Sequence, residues 1–369
     1  MYLNQETAER FPICVIGAGH GGLAMAGHLG LQGFPVRLFN RSAARLAAIS
    51  SMGGIHLTGE VDGFGPVEKA TDDMAEAIAG ARLLMVVTPA TAHREIAAQL
   101  APVLEDGQII VLNPGRTGGA LEFRTVLIEN KCRVHFDLAE TQTFIYASRA
   151  TNPGQAHIFR IKNTIPVAAF PAYRTPEVLK VLRVPFPHFV PGDNVLKTGL
   201  DNIGAIFHPT ITLLNAARIE STHGDFEYYM EGITPSVAKI LEALDEERVS
   251  VAAALGIRAM PAREWLYVAY DAVGKNLYEA IQNNVGYRGI RAPASVYHRY
   301  IWEDVPTSLV PIASLGDLLG VHTPVMDHII ELCSLLHGED YVSQGRTVEK
   351  LGLAGKDVKA IRKWVLDGE

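Results

Sequence analysis

The sequence predicts an α/β chain: a doubly wound, mostly parallel sheet followed by an all-helical domain. Three observations lead there. The apolar run Ile13-Cys14-Val15-Ile16 passes straight into Gly17-Ala18-Gly19-His20-Gly21-Gly22, and then into a close-packed helical pattern through Leu23, Ala24, Met25, Ala26, Gly27 and Leu29. From there to about Phe170, apolar runs of strand length alternate with helical segments. From about Asn194 the pattern is helical throughout.

The first observation is also the most chemical. Gly-x-Gly-x-x-Gly between a strand and a helix is the dinucleotide fingerprint in the context it needs. Gly17 permits the tight turn, Gly19 lets the backbone approach a pyrophosphate, and Gly22 lets the helix lie close to the strand. The helix start, with Ala18, His20 and Gly21, offers N–H groups and a positive dipole end to phosphates.

The later elements follow in order. Pro35–Phe39 reads as a second strand. Thr71 or Asp72 caps a short helix reaching Gly80. Arg82–Val87 is nearly all apolar, as in a strand covered on both faces. Thr88-Pro89 ends it, and a helix runs to about Leu104. Gln108–Leu112 is the next strand, stopped by Asn113-Pro114-Gly115. A helix near 121–130 and a strand near 133–138 come next, and strands near 156–161 and 166–170 complete the sheet. Alternating βα units imply a Rossmann-like sheet. In the second half one long helix is expected over 195–220. Others are expected from Thr234-Pro235 to Gly256, with proline at the first position, and at 262–283, 324–337 and 356–366. The expected division is a dinucleotide-binding domain over 1–190 and a helical catalytic domain over 191–369, with 184–192 as the hinge.

Bulk properties narrow the function classes. A chain of 369 residues holds two ordinary domains. The net charge of −7 and the lack of any basic run argue against nucleic acid. No stretch reaches the roughly 18 apolar residues of a membrane helix, and the polar start has no signal-peptide pattern. Cys14, Cys132 and Cys333 are too few and too far apart for a disulfide framework or a zinc knuckle. No metal site is expected, and a cytoplasmic protein is.

Cofactor choice is read after the second strand. An acid roughly 20 positions past the glycines holds the ribose 2′-OH in NAD-preferring folds. Asn40 stands there, followed by Arg41 and, one turn on, Arg45. A guanidinium pairs with a 2′-phosphate that a carboxylate would repel. NADP(H) is therefore expected to be preferred, with NAD(H) binding through Asn40 kept open. Thr88, Pro89 and Asn113, at strand ends, are expected to line the nicotinamide ribose.

His208 lies in an apolar helical pattern directly before Pro209, which should bend or break the helix there. Histidine is the natural acid/base near neutral pH; a hydrogen-bonded core histidine is the competing reading. Tyr297-His298-Arg299-Tyr300-Ile301-Trp302-Glu303-Asp304-Val305-Pro306 gathers charge and aromatics. A carboxylate from it could orient His208, and Arg299 could clamp a substrate carboxylate. A solvated loop with an internal salt bridge is the competing reading here.

The chain resembles the opine dehydrogenases of the octopine/nopaline type over almost its whole length. The marks are Asn113-Pro114-Gly115-Arg116-Thr117-Gly118-Gly119-Ala120-Leu121-Glu122-Phe123-Arg124, Phe207-His208-Pro209, Leu214-Asn215-Ala216-Ala217-Arg218, Glu231–Ser236, Tyr287-Arg288-Gly289-Ile290 and Glu303-Asp304-Val305-Pro306. The resemblance implies reductive condensation of an amino acid with a 2-keto acid. It also implies that His208 is the catalytic histidine, Asp304 its carboxylate partner and Arg299 the nearby substrate arginine. The expected partners are those two substrates, with a homodimer left open. Family members most like this chain carry an acid after the second strand, so cofactor choice is not taken from the resemblance. The rival readings are a keto-acid or hydroxy-acid reductase on the same fold, which would call on a lysine such as Lys197, and a non-enzymatic NADP(H) sensor.

Overall fold

The computed structural model describes residues 10–369, and these divide into two compact units. One comprises the chain up to Thr198 together with Lys363–Glu369; the other is Gly199–Arg362.

The strands all lie in the first unit. They are β1 (Ile13–Ile16), β2 (Val36–Phe39), β3 (Gly54–Gly59), β4 (Gly63–Pro66), β5 (Lys69–Thr71) and β6 (Leu83–Val86). Then come β7 (Ile109–Leu112), β8 (Asp137–Thr141), β9 (Tyr146–Asn152), β10 (Gln155–Ile161), β11 (Ile165–Phe170) and β12 (Phe189–Pro191). Helices α1 (His20–Leu31), α2 (Ala43–Met52), α3 (Met74–Ile78), α4 (His93–Leu100), α5 (Gly119–Glu129) and α6 (Thr175–Leu182) connect them.

The main sheet has the order β12-β11-β8-β7-β6-β1-β2-β5. Its centre, β1, β6 and β7, is parallel and wholly buried, which is why those segments are unbroken apolar runs. The order reverses at β1, so the crevice beyond the carboxyl ends of β1 and β6 is the place where such sheets take ligands. β11 is antiparallel to β8.

Several expectations are corrected. A second sheet, β4-β3-β10-β9, holds the strand expected at 156–161. β3, β4 and β9 were not foreseen, because glycine, threonine, histidine and arginine dilute their apolar pattern and leave half of their residues to solvent. Thr71 is the last residue of β5, paired with Phe39, so the cap of α3 is Asp73, whose carboxylate accepts from the Glu76 amide at 3.0 Å. The 133–138 strand lies at Asp137–Thr141, where its backbone pairs with β7, parallel and in register from Ile109–Asp137 to Leu112–Glu140. The expected hinge at 184–192 contains β12, which adds to the sheet edge beside β11.

The second unit is helical. α7 (Val195–Leu200), which begins in the first unit, leads into α8 (Gly204–Leu214), α9 (Ala216–Thr222), α10 (Pro235–Ala254), α11 (Ala262–Tyr270), α12 (Leu277–Gln282), α13 (Arg299–Trp302), α14 (Val310–Leu319), α15 (Pro324–His337), α16 (Tyr341–Gln344) and α17 (Val358–Asp367), whose last residues belong to the first unit again. A π-helical segment, Val305–Leu309, joins α13 to α14. Thr234 caps α10 through the Val237 amide, with Pro235 at the first position as expected. The single helix expected over 195–220 is three. Neither break is at His208-Pro209: one falls at Asn215, between α8 and α9, and the other at 201–203. There Asp201 accepts the Met260 amide at 2.9 Å and Asn202 donates to Ser308 Oγ at 2.8 Å, so side chains compete with the helical ladder. The 262–283 helix is likewise divided. Asp271 ends α11 in a left-handed conformation (φ 54°), and Asn276 caps α12 through the Glu279 amide at 2.9 Å.

Among the described residues no helix is long and apolar enough to cross a membrane, and no cluster of ligating side chains is suited to a metal ion. Cys14, Cys132 and Cys333 are free thiols, and burial pushes the Cys14 thiol up to about 12.

Candidate active site

The dinucleotide end is built by the turn between β1 and α1. Gly17 has φ +115°, and a Cβ there would lie 2.4 Å from the Val87 carbonyl oxygen. A Cβ on Gly22 would lie 1.7 Å from the Gly17 carbonyl oxygen, so only glycine lets α1 start this close to β1. Nothing lies within 4 Å of the equivalent point at Gly19, which leaves open space where a pyrophosphate would meet the backbone. His20 Nδ1 accepts the Ala150 amide at 2.9 Å, which leaves its proton on Nε2. Phe144 packs over Gly21.

Two atoms mark where a ligand would add bonds. Thr88 Oγ1, next to Pro89 at the end of β6, and Asn113 Oδ1, at the end of β7, are buried without a hydrogen-bond partner among the described residues. The Asn113 Nδ2 is engaged, donating to the Val111 carbonyl at 2.8 Å. A buried acceptor left unmade costs about 1–3 kcal/mol. These orphans therefore fit a nucleotide's ribose hydroxyls or carboxamide, and the residues present suit a nicotinamide dinucleotide.

Asn40 Oδ1 accepts the Ala18 amide at 3.2 Å, and its Nδ2 donates to the Ser42 carbonyl at 3.2 Å. It thus ties the glycine turn to the end of β2. Arg41 is exposed and reaches Glu95 on α4 at 3.2 Å.

One residue that sequence reasoning did not single out lies beside this end. Lys162 donates to Thr143 Oγ1 at 2.6 Å, and burial, with Arg116 nearby, lowers its ammonium to about 8. A lone lysine after a half-exposed strand gives no sequence signal.

The candidate acid–base pair lies in the helical unit. α8 presents His208 and the start of the π-helical segment presents Asp304, 96 positions apart in the chain. His208 Nδ1 donates to Asp304 Oδ2 at 2.7 Å. The aspartate side chain is 1 % exposed and the imidazole 21 %. Such a pair can serve as the orienting half of a triad, the carboxylate holding the tautomer and leaving Nε2 for proton exchange. Pro209 stays inside α8, and the Tyr228 hydroxyl donates to the His208 carbonyl at 2.7 Å. Tyr300 stacks on the imidazole, with ring centroids 4.3 Å apart and planes at 19°. Tyr228 and Tyr300 carried no role in the sequence reading, although Tyr300 belongs to the aromatic run that drew notice.

Arg299 is half exposed, and its Nη2 and Nε both donate to Glu303 Oε2, at 2.6 and 2.8 Å. The internal salt bridge weighed for this segment is therefore present. It leaves the Nη1 edge for a ligand.

Two family models match the chain: residues 12–115 match the NAD-dependent glycerol-3-phosphate dehydrogenase N-terminus, and residues 191–337 match the α-helical domain of NAD/NADP octopine/nopaline dehydrogenases. An opine dehydrogenase from Arthrobacter sp. (strain 1C) is 40 % identical over 95 % of this chain and 98 % of its own. The chain belongs to the opine dehydrogenase family. Opine dehydrogenases are oxidoreductases acting on CH–NH bonds with a nicotinamide cofactor. Solved members share the fold. Octopine dehydrogenase with NADH and L-arginine matches with a TM-score of 0.81 at 20 % identity, covering 97 % of this chain and 98 % of its own. Yersinopine dehydrogenase with NADP+ bound matches with a TM-score of 0.72 at 16 % identity, covering 97 % and 98 %.

Proposed function

We propose that this opine dehydrogenase joins the amino group of an L-amino acid to a 2-keto acid such as pyruvate, reduces the product at the expense of NADPH, and runs the reverse oxidation. The observation that carries the reading is the His208–Asp304 pair at 2.7 Å, within the stretch matching the octopine/nopaline helical domain. The related octopine dehydrogenase structures hold NADH with L-arginine or with pyruvate, substrates of the two required classes.

The chemistry uses each part. The amine adds to the keto carbon, and the carbinolamine loses water to an imine. The dinucleotide supplies hydride to that imine carbon. His208 Nε2 takes the proton released as the C–N bond forms and returns one to the departing hydroxyl. Asp304 keeps Nδ1 protonated and favours the imidazolium between those transfers. Arg299 holds a substrate carboxylate, and such positioning is worth several kcal/mol. Gly17, Gly19 and the start of α1 hold the pyrophosphate, and Thr88 and Asn113 the nicotinamide ribose side.

NADPH is preferred in this reading because Arg41 follows Asn40 where an acid would select NADH. The structural neighbours carry NADH in one case and NADP+ in the other, so the local residues decide. A cytoplasmic setting, where free thiols persist, and a homodimer complete the proposal; light scattering reads the latter.

The deciding assay follows NADPH oxidation with an amino acid, with a 2-keto acid, and with both, over a matrix of pairs. Oxidation that requires both supports the reading. Equal oxidation with keto acid alone would make the protein a keto-acid reductase.

A further inference from the structure

His208 is gripped from a second direction. The Tyr300 ring lies face to face with the imidazole at 4.3 Å and 19°. Tyr300 is itself braced: Tyr228 stacks on it at 5.2 Å and 30°, and the His298 ring meets it edge-on at 4.4 Å and 76°. Tyr228 is fully buried, and its hydroxyl closes the loop by binding the backbone carbonyl of His208 and the Thr212 hydroxyl, at 2.7 and 2.8 Å.

We infer that Tyr300 is a positioning residue for His208. A single hydrogen bond to Asp304 fixes one ring atom and leaves the imidazole free to swing about the Nδ1···Oδ2 line. A flat ring held parallel to the imidazole removes that freedom, so Nε2 keeps one aim. Only an aromatic side chain offers such a plane; a branched aliphatic one fills the volume without defining an orientation. The electron-rich face also favours the charged imidazolium. α13 carries Arg299 and Tyr300 on successive residues. One short turn therefore places the carboxylate clamp and the brace of the acid–base group together.

The charged and titratable groups around the imidazole are few. Tyr300, Arg299 and His298 come from α13 and its cap, Asp304 and Glu303 from the segment after it, and Tyr228 from the loop before α10. Burial, and then Arg299, hold His298 below its usual value. Of the other helices packed on α8, α9 carries Arg218 and Glu220; α10 carries Lys239, Glu242, Glu246 and Glu247 besides the mutually bound Asp245–Arg248 pair; and α15 carries Asp327, His328, Glu331 and His337.

The inference rests on the acid–base role proposed for His208, and the test keeps the two apart. Tyr300→Phe retains the ring and Tyr300→Leu removes it; Tyr300→Met replaces Leu if that variant fails to fold in a thermal melt. In the aliphatic variant kcat is expected to fall about ten- to a hundredfold through lost orientation. The limb of the pH–rate profile set by His208 should move about half a unit to one unit to lower pH. The KM for NADPH should stay put, and Tyr300→Phe should behave as the parent. An NMR titration of the His208 ring in the same variants reports the stack without any turnover, so it remains informative if the acid–base role fails. An aliphatic variant with unchanged kcat, pH profile and ring titration overturns the inference. So does a Phe variant as impaired as the aliphatic one, since the hydroxyl and not the ring face would then matter.

Discussion

Glu303 takes both Nε and Nη2 of Arg299 on a single carboxylate oxygen, at 2.8 and 2.6 Å, from one helical turn away. The carboxylate side chain is 2 % exposed, whereas the guanidinium side chain is 49 % exposed. Glu303 thus fixes the plane of the guanidinium and leaves its outer edge to meet a ligand. Arg299→Lys keeps the charge but loses the fork. It should raise the KM for the keto acid far more than that for NADPH. Glu303→Gln should act in the same direction more weakly, since the fork survives but is less firmly held. If these variants weakened NADPH binding and spared keto-acid saturation, Arg299 would be a phosphate ligand.

His208→Ala should bind cofactor normally and lose about 10²–10⁴-fold in turnover, the usual worth of general acid–base catalysis. Asp304→Asn keeps the shape and removes the charge that favours the imidazolium, so turnover falls and the controlling limb of the pH–rate profile moves to lower pH. Steady-state rates over pH 5–9 check both, and a retained rate in His208→Ala would sink the mechanism.

The fingerprint glycines should fail in different ways. A methyl group at Gly22 meets the Gly17 carbonyl oxygen at 1.7 Å, so Gly22→Ala should destabilise the unit itself. At Gly19 nothing lies within 4 Å, so Gly19→Ala should melt at nearly the parental temperature while its NADPH dissociation constant rises. Calorimetry with and without NADPH separates the two. A Gly19 variant that binds normally would place the pyrophosphate elsewhere.

Asn40→Asp with Arg41→Ile should reverse the proposed preference for NADPH. The aspartate can still accept the Ala18 amide, as Asn40 does at 3.2 Å, and gives up only the Asn40 donation to the Ser42 carbonyl, so the turn survives with one bond fewer while the 2′-phosphate is repelled. A charge-assisted hydrogen bond is worth about 1.5–3 kcal/mol, or one to two decades of selectivity. Equal kcat/KM for both cofactors in the parent would defeat the assignment.

His28 makes the first unit sensitive to acid. Burial, with His188 nearby, lowers its ionisation to about 4, and its ring nitrogens engage Tyr146 and Gln32 at 2.8 and 3.1 Å. The unfolded chain binds a proton near pH 6.5 that the folded chain refuses until about pH 4. Stability from this group is therefore complete above pH 6.5 and is lost as the pH falls towards 4, by roughly 2 kcal/mol once partial exposure is allowed for. His28→Leu should melt lower at pH 7 and lose less on going to pH 5. An unchanged difference between the two pH values would remove His28 as the cause.

The parallel half of the fold was legible because its central strands are buried on both faces and so appear as unbroken runs, such as Leu83–Val86. The second sheet was not, because β3 and β9 are half exposed and carry polar residues on their open faces. The position of the helix break was misread at Pro209. Proline marks a lost donor, but the stop came from Asp201 and Asn202 finding partners at Met260 and Ser308, far away in sequence. His208 drew attention by its place before Pro209, its pairing with Asp304 came from the resemblance, and their 2.7 Å approach is a finding of the fold. Tyr300 had no spacing rule to reveal it, because a ring stack between distant segments leaves no periodic trace.

Lys363–Glu369 belong with the first unit, where Trp364 meets Phe170 edge-on at 5.1 Å. In genetic terms the cofactor half is therefore written in two pieces, with the helical half inserted between them. A frameshift in the codons for Lys363–Glu369 would uncover Phe170 and injure the cofactor half first. The fragment to express for an isolated nucleotide-binding unit is correspondingly not one continuous stretch of sequence. It is residues up to Thr198 joined through a short linker to the segment from Lys363 onward.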